Sequence, residues 1–256
     1  MTIHAIRVAY PEAAEYHLHI AVGACKFTLS ADEPTDWVSG TYDDPADTLP
    51  YTVEENGGVV KISQKFASAN WWEMGKGHVP NLKLALGKAK PYALTLEVGA
   101  SECEFALGGL PIQQLVIRQG AGKFAFDFAA PNPEPMRLLR VETGAGSVEM
   151  EHLANANFAE MVVEGGAAGF ELNFGGKLQR DAQVKITTGL AAVEIEVPET
   201  LAAKITSDSF IGGLDVGNGF TKRQDAFWNV AAINGGTPVL TIASKVALGS
   251  LKLRVE

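Results

Sequence analysis

Apolar and polar residues alternate with period two along much of this chain, and the alternation recurs around a glycine. Six stretches share the pattern, with marker glycines Gly23, Gly99, Gly120, Gly144, Gly166 and Gly189; from Gly99 onward they lie 21, 24, 22 and 23 residues apart. With each marker as position zero, positions −5, −3, +4 and +6 are apolar in all six copies. Leu115, Ile117, Phe124 and Phe126 are one set, and Val184, Ile186, Val193 and Ile195 another. The intervening positions −2 and +5 are mostly polar, among them Glu97, Arg118, Glu142, Glu164, Glu104, Glu149, Glu171 and Glu194. Such alternation predicts strands with one buried face. Positions −3 and +4 are an odd number of residues apart, so a straight strand would point them to opposite faces. Both being apolar, the chain must bend or bulge at the Gly-Ala step, where glycine tolerates the required backbone. Gly144 is accordingly expected at a positive φ.

Each unit then reads as strand, corner, strand and connection. A single unit cannot bury its apolar face, whereas a stack of them can. The expected fold is all-β, a right-handed β-solenoid of parallel-helix type with coils of about 21–24 residues and a more irregular N-terminal β region. Residues 32–50, rich in Pro and Asp, read as a loop. Tyr51–Val53 and Val59–Ile62 read as a hairpin turning at Asn56-Gly57. Degenerate coils are expected around Lys204–Leu214 and Leu240–Leu253, separated by a loop from Asn218 to Gly236 that carries Trp228. The expected division is an N-terminal β region, 1–72, and a repeat domain, 73–256.

These features resemble the bacterial toast-rack family, through the corners Gly120-Ala-Gly122 and Gly144-Ala-Gly146, the step Asn70-Trp71-Trp72 and the closing Gly249-Ser250-Leu251. The part up to about Phe66 resembles the domain that precedes the toast-rack repeats. The resemblance implies scaffolding or sensing, as in soluble domains of envelope-stress regulators and adhesin-like proteins, and supplies no catalytic residues.

Composition narrows the possibilities. The 27 glycines are scattered, as many tight corners require, and the net charge of −9 with no basic cluster argues against nucleic acid. No apolar run is long enough for a membrane span, and no signal peptide is visible near Met1. The chain is therefore expected to be cytoplasmic, or a soluble fragment of an envelope-associated protein. Gly120-Ala-Gly122-Lys123 lacks the full phosphate-loop spacing and a following Ser or Thr. His17 and His19 share a strand face and form at most half a metal site. Cys25 and Cys103 are too few for a disulfide framework, and Cys103 occupies a core position.

No catalytic residue, metal site or cofactor is expected, and the chain reads as a non-enzymatic interaction, scaffold or sensor module for a protein partner or for self-association. The alternative is a β-helix protein that binds or depolymerises polysaccharide. The candidate binding residues are Trp71 and Trp72, one of which an alternating strand would expose, and Glu149, Glu171 and Glu194. These three glutamates share the outward +5 position of successive units, where like charges would repel unless covered by a cation or a basic surface. Lys185 is expected to soften that repulsion.

Overall fold

The computed structural model describes residues 3–31, 36–44, 50–64 and 79–256, and of residues 209–211 the backbone alone. In chain order the first strands are β1 (Ile3–Val8), β2 (His17–Val22), β3 (Lys26–Ala31), β4 (Val38–Asp43), β5 (Tyr51–Asn56), β6 (Val59–Gln64) and β7 (Asn81–Leu86). The coils proper begin with β8 (Tyr92–Ala100) and β9 (Glu102–Ala106). They continue as four strands of 16 residues each, β10 (Ile112–Asp127), β11 (Met136–Glu151), β12 (Phe158–Asn173) and β13 (Ala182–Val197). The last elements are β14 (Ala202–Val216), β15 (Phe220–Arg223), β16 (Ala226–Asn229), a single helical turn α1 (Val230–Ile233) and β17 (Val239–Val255).

The six coils that carry a marker glycine fold there into two limbs, and β14 and β17 continue both limbs with other residues at that position. The limb before the corner runs β5–β6–β2–β8–β10–β11–β12–β13–β17–β14–β16–β15. The limb after it runs β1–β4–β7–β3–β9–β10–β11–β12–β13–β17–β14. Pairing between coils is parallel throughout, and antiparallel strands occur where the end coils are covered: β4 and β5 at one end, β16 at the other. Covering the end strands in this way limits edge-to-edge association.

All 24 residues in the four apolar positions of the six copies are buried, none more than 3% exposed. The register pairs like position with like: Leu94, Leu115, Leu139, Met161 and Val184 form one column, Cys103, Phe124, Val148, Phe170 and Val193 another. Burying a large side chain of this kind is worth about 1.5–3 kcal/mol. The repeat is thus an instruction for stacking, since a column closes only when neighbouring coils present the same residue class at the same height.

The corner is built differently from the expectation. The ladders skip the marker itself, pairing Gln119 with Thr143 and Ala121 with Ala145, so the marker is the extra residue of the bend. Positive φ falls two residues later, at Gly122 (118°), Gly146 (130°) and Gly249 (143°), and Gly144 takes an ordinary φ. Gly144 is needed for another reason: a Cβ there would sit 2.5 Å from the carbonyl oxygen of Gly120 in the adjacent coil.

A third side, made by the connections, closes the core. Phe128, Leu153 and Phe174 point inward from it, and buried asparagines bind one connection to the next. Asn132 donates to the carbonyls of Ile112 (2.7 Å) and Ala156 (3.1 Å), Asn155 donates to Phe128 (2.9 Å), and Asn157 accepts from Arg180 (2.7 Å). No periodic signal marks these residues, because the connections differ in length.

Three regions depart from the sequence reading. The stretch read as a loop from 32 to 50 contains β4, and Trp37, fully buried, stacks on Tyr10 with centroids 5.8 Å apart. The loop expected over Asn218–Gly236 folds into the β15–β16 hairpin and α1. The two degenerate C-terminal coils do form, in inverted order: β17 lies between β13 and β14. The division near residue 72 falls among residues outside those described. The expected hairpin is present as β5–β6.

Candidate interaction surfaces

With the apolar positions turned inward, positions −4, −2, +5 and +7 line up on the outside as rows perpendicular to the strands. On the first limb the −2 row reads Glu97, Arg118, Glu142 and Glu164, and Arg140 stands beside it at −4. The charges alternate and pair: His19–Glu97 (3.1 Å), Arg118–Glu97 (3.1 Å), Arg118–Glu142 (3.1 Å), Arg140–Glu142 (3.4 Å) and Arg140–Glu164 (3.3 Å). Each exposed pair is worth at most about 1 kcal/mol. The ladder borders a shallow open groove of about 800 Å³ that follows the corner.

The second limb is different. Its +5 row reads Glu104, Ala125, Glu149, Glu171 and Glu194, and its +7 row includes Asp127, Glu151 and Glu196. The expected alignment of Glu149, Glu171 and Glu194 is therefore found in the strand register. Among the described residues, the +7 row gains one partner in His152, which meets Asp127 (2.8 Å), and the +5 row is compensated at the far end by β17, where Lys252 pairs with Glu194 (2.5 Å) and Arg254 with Asp215 (2.6 Å). Lys185, expected to soften the repulsion, lies on the first limb in register with Val162. Burial, reinforced by nearby carboxylates, raises the pKa of Glu151 from its ordinary value, and His152 partly offsets the rise. Burial also raises Glu196, as does its hydrogen bond to Glu256. A small cavity of about 290 Å³ opens on this face, lined by Glu104, Asp127, Glu149 and Glu151 among others.

The remaining candidates divide. His17 bonds Thr95 through Nε2 (2.9 Å), whereas His19 turns to Glu97, so the two rings serve separate partners. Among the described residues no three His, Cys, Asp or Glu side chains converge as a metal site. Cys25 and Cys103 are buried free thiols, pushed up by burial to about 11 and about 12 respectively, which leaves them protonated and unreactive at neutral pH. Trp71 and Trp72 lie outside the described residues. The sequence reading missed a row at the corner itself: Ala100, Ala121, Ala145, Ala167, Leu190 and Leu248 fall in one line, and Leu190 and Leu248 are exposed. The Ala of each Gly-Ala step is its signal.

Residues 3–135, just over half of the chain, match the family described as the N-terminal domain of toast_rack, DUF2154. The chain belongs to this toast-rack family. Over its whole length the fold is similar to that of a crystal structure of a candidate cell adhesion protein from Clostridium sporogenes. That chain is 15% identical, with 100% of this chain and 99% of that one covered and a TM-score of 0.54. A candidate adhesin from Bacteroides fragilis, 11% identical, aligns over 98% of this chain and 96% of its own with a TM-score of 0.44. A comparison with curated proteins finds no match. Among the described residues of this toast-rack chain, no helix is long and apolar enough to cross a membrane.

Proposed function

We propose that the protein is a non-enzymatic interaction module of the cell envelope or of adhesion, which offers the acidic outer face of its second limb to a basic protein surface. The observation that carries this reading is the uncompensated part of the +5 row. Glu149 and Glu171 stand on adjacent coils, about 4.8 Å apart in the hydrogen-bonding direction, on a sheet that cannot spread to separate them. Like charges so placed are stabilised by an opposing cationic surface and by little within the chain, where Lys252 reaches Glu194 alone. Family membership and the cell adhesion role suggested for the Clostridium protein support the envelope and adhesion setting.

The test is a cross-linking pull-down with wild-type protein and with the triple variant Glu149→Gln, Glu171→Gln, Glu194→Gln. A partner held by wild type and lost by the variant, with the melting temperature unchanged or raised, is the expected result. Retention of that partner by the triple variant would remove the acidic face from the interaction.

A further inference from the structure

A second concave surface lies away from the acidic face, where the first-limb strands begin. It is a groove of about 810 Å³, and its lining comes from the starts of β6, β2, β8, β10 and β11, five consecutive strands of the limb. Four inter-strand spacings make it about 19 Å long. A length of this kind across the strands suits an extended chain better than a compact metabolite. Its chemistry is opposite to that of the acidic face of the second limb. Lys90, Arg137 and His17 face it together with the amides of Gln113 and Gln114 and the edge of Tyr16, and Glu15 adds one carboxylate at the rim.

The groups are positioned to differing degrees. The Lys90 ammonium donates to the Tyr16 hydroxyl (2.6 Å) and lies 4.8 Å from the centre of its ring, so it is held in place before any ligand arrives. His17 is fixed through Thr95, and burial, helped by His19, lowers its pKa, leaving a neutral ring that exchanges hydrogen bonds. Arg137 is exposed and, among the described residues, makes no hydrogen bond or ion pair, so its planar fork is free for a carboxylate. Neighbouring amides that both donate and accept match vicinal hydroxyls.

We infer that this groove binds an acidic oligosaccharide, its carboxylates on Arg137 and Lys90 and its hydroxyls on Gln113, Gln114 and His17. A peptide added as a strand would need a free sheet edge, and every strand start here is already paired on the limb. The site is separate from the acidic face, so its failure leaves that reading untouched.

Isothermal titration of the full chain with tetragalacturonate, maltotetraose and tetraglutamate tests the assignment. Tetragalacturonate should bind and the neutral maltotetraose should bind at least about tenfold more weakly, as should tetragalacturonate to Arg137→Gln. Lys123→Gln, at an exposed cation outside the groove, should bind like wild type. No binding of tetragalacturonate, or equal binding by Arg137→Gln, would overturn the site. Tetraglutamate binding as tightly as the sugar would overturn the assignment to a glycan and leave a groove selective for charge alone.

Discussion

At the corner of β11, Gly144 and Gly146 are held to glycine by different forces. Gly146 combines a φ of 130° with a carbonyl, that of Gly122, only 2.0 Å from where a Cβ would stand. Gly144→Ala should cost about 1–3 kcal/mol by crowding alone. Gly146→Ala, adding strain at φ, should cost about 2–6 kcal/mol. Gly169, whose Cβ would meet nothing within 4 Å, is the control, and Gly169→Ala should change stability by no more than about 1 kcal/mol, in the stabilising direction. Urea unfolding of the three variants checks the ranking, and equal losses at Gly146 and Gly169 would contradict this account of the corner. A second residue-scale test concerns Ser244, which occupies the apolar −3 position beside Ile186 and is buried, its hydroxyl without a partner among the described residues. An unsatisfied buried hydroxyl is a cost, so Ser244→Ala should stabilise by up to about 1 kcal/mol. A destabilised variant would mean that the hydroxyl does find a partner in solution.

Elements are coupled in an order that differs from chain order. β17 comes last in sequence yet supplies the sheet partner of both β13 and β14, along nearly its full length. A solenoid built in chain order would lose only its outermost coil on C-terminal truncation. Here, deletion after residue 236 removes an internal layer and exposes Val184, Ile186, Val193 and Ile195 along one side. Hydrogen exchange should show protection lost from β13 as well as β14 in the truncated chain. Protection of β14 at its original level would show that it can pair with β13 directly.

For the molecule as a whole, charge is unevenly shared between its faces, and pH reports on it. An unfolded glutamate titrates near pH 4.3, about the ordinary value, whereas burial and neighbouring carboxylates raise Glu151 and Glu196 in the fold. Between the two values the folded state binds more protons, so the stability these groups contribute is complete below pH ~4 and is lost as pH rises through their folded values. Glu151→Gln and Glu196→Gln should therefore raise the melting temperature by up to about 2 °C at pH 7 and have no effect at pH 4. A thermal scan at the two pH values checks this, and a lower melting temperature at pH 7 would show that the carboxylates are stabilising as charges.

The sequence by itself determined the coil. Four apolar positions around a glycine, odd in their spacing, require a bend and a stack, and all of them are buried where that logic puts them. It also determined which residues face outward, including the row of Glu149, Glu171 and Glu194. Periodicity is local, however, and says only which way a side chain points. Which charges meet depends on the pairing of coils, as Lys252 shows by reaching Glu194 from a strand that skips a layer. The insertion of β17, the buried asparagines of the connections and the groove across five strand starts unite residues with no common spacing. Those were decided by the tertiary structure, because long-range contacts are fixed by the closure of the core and not by the pattern of any one strand.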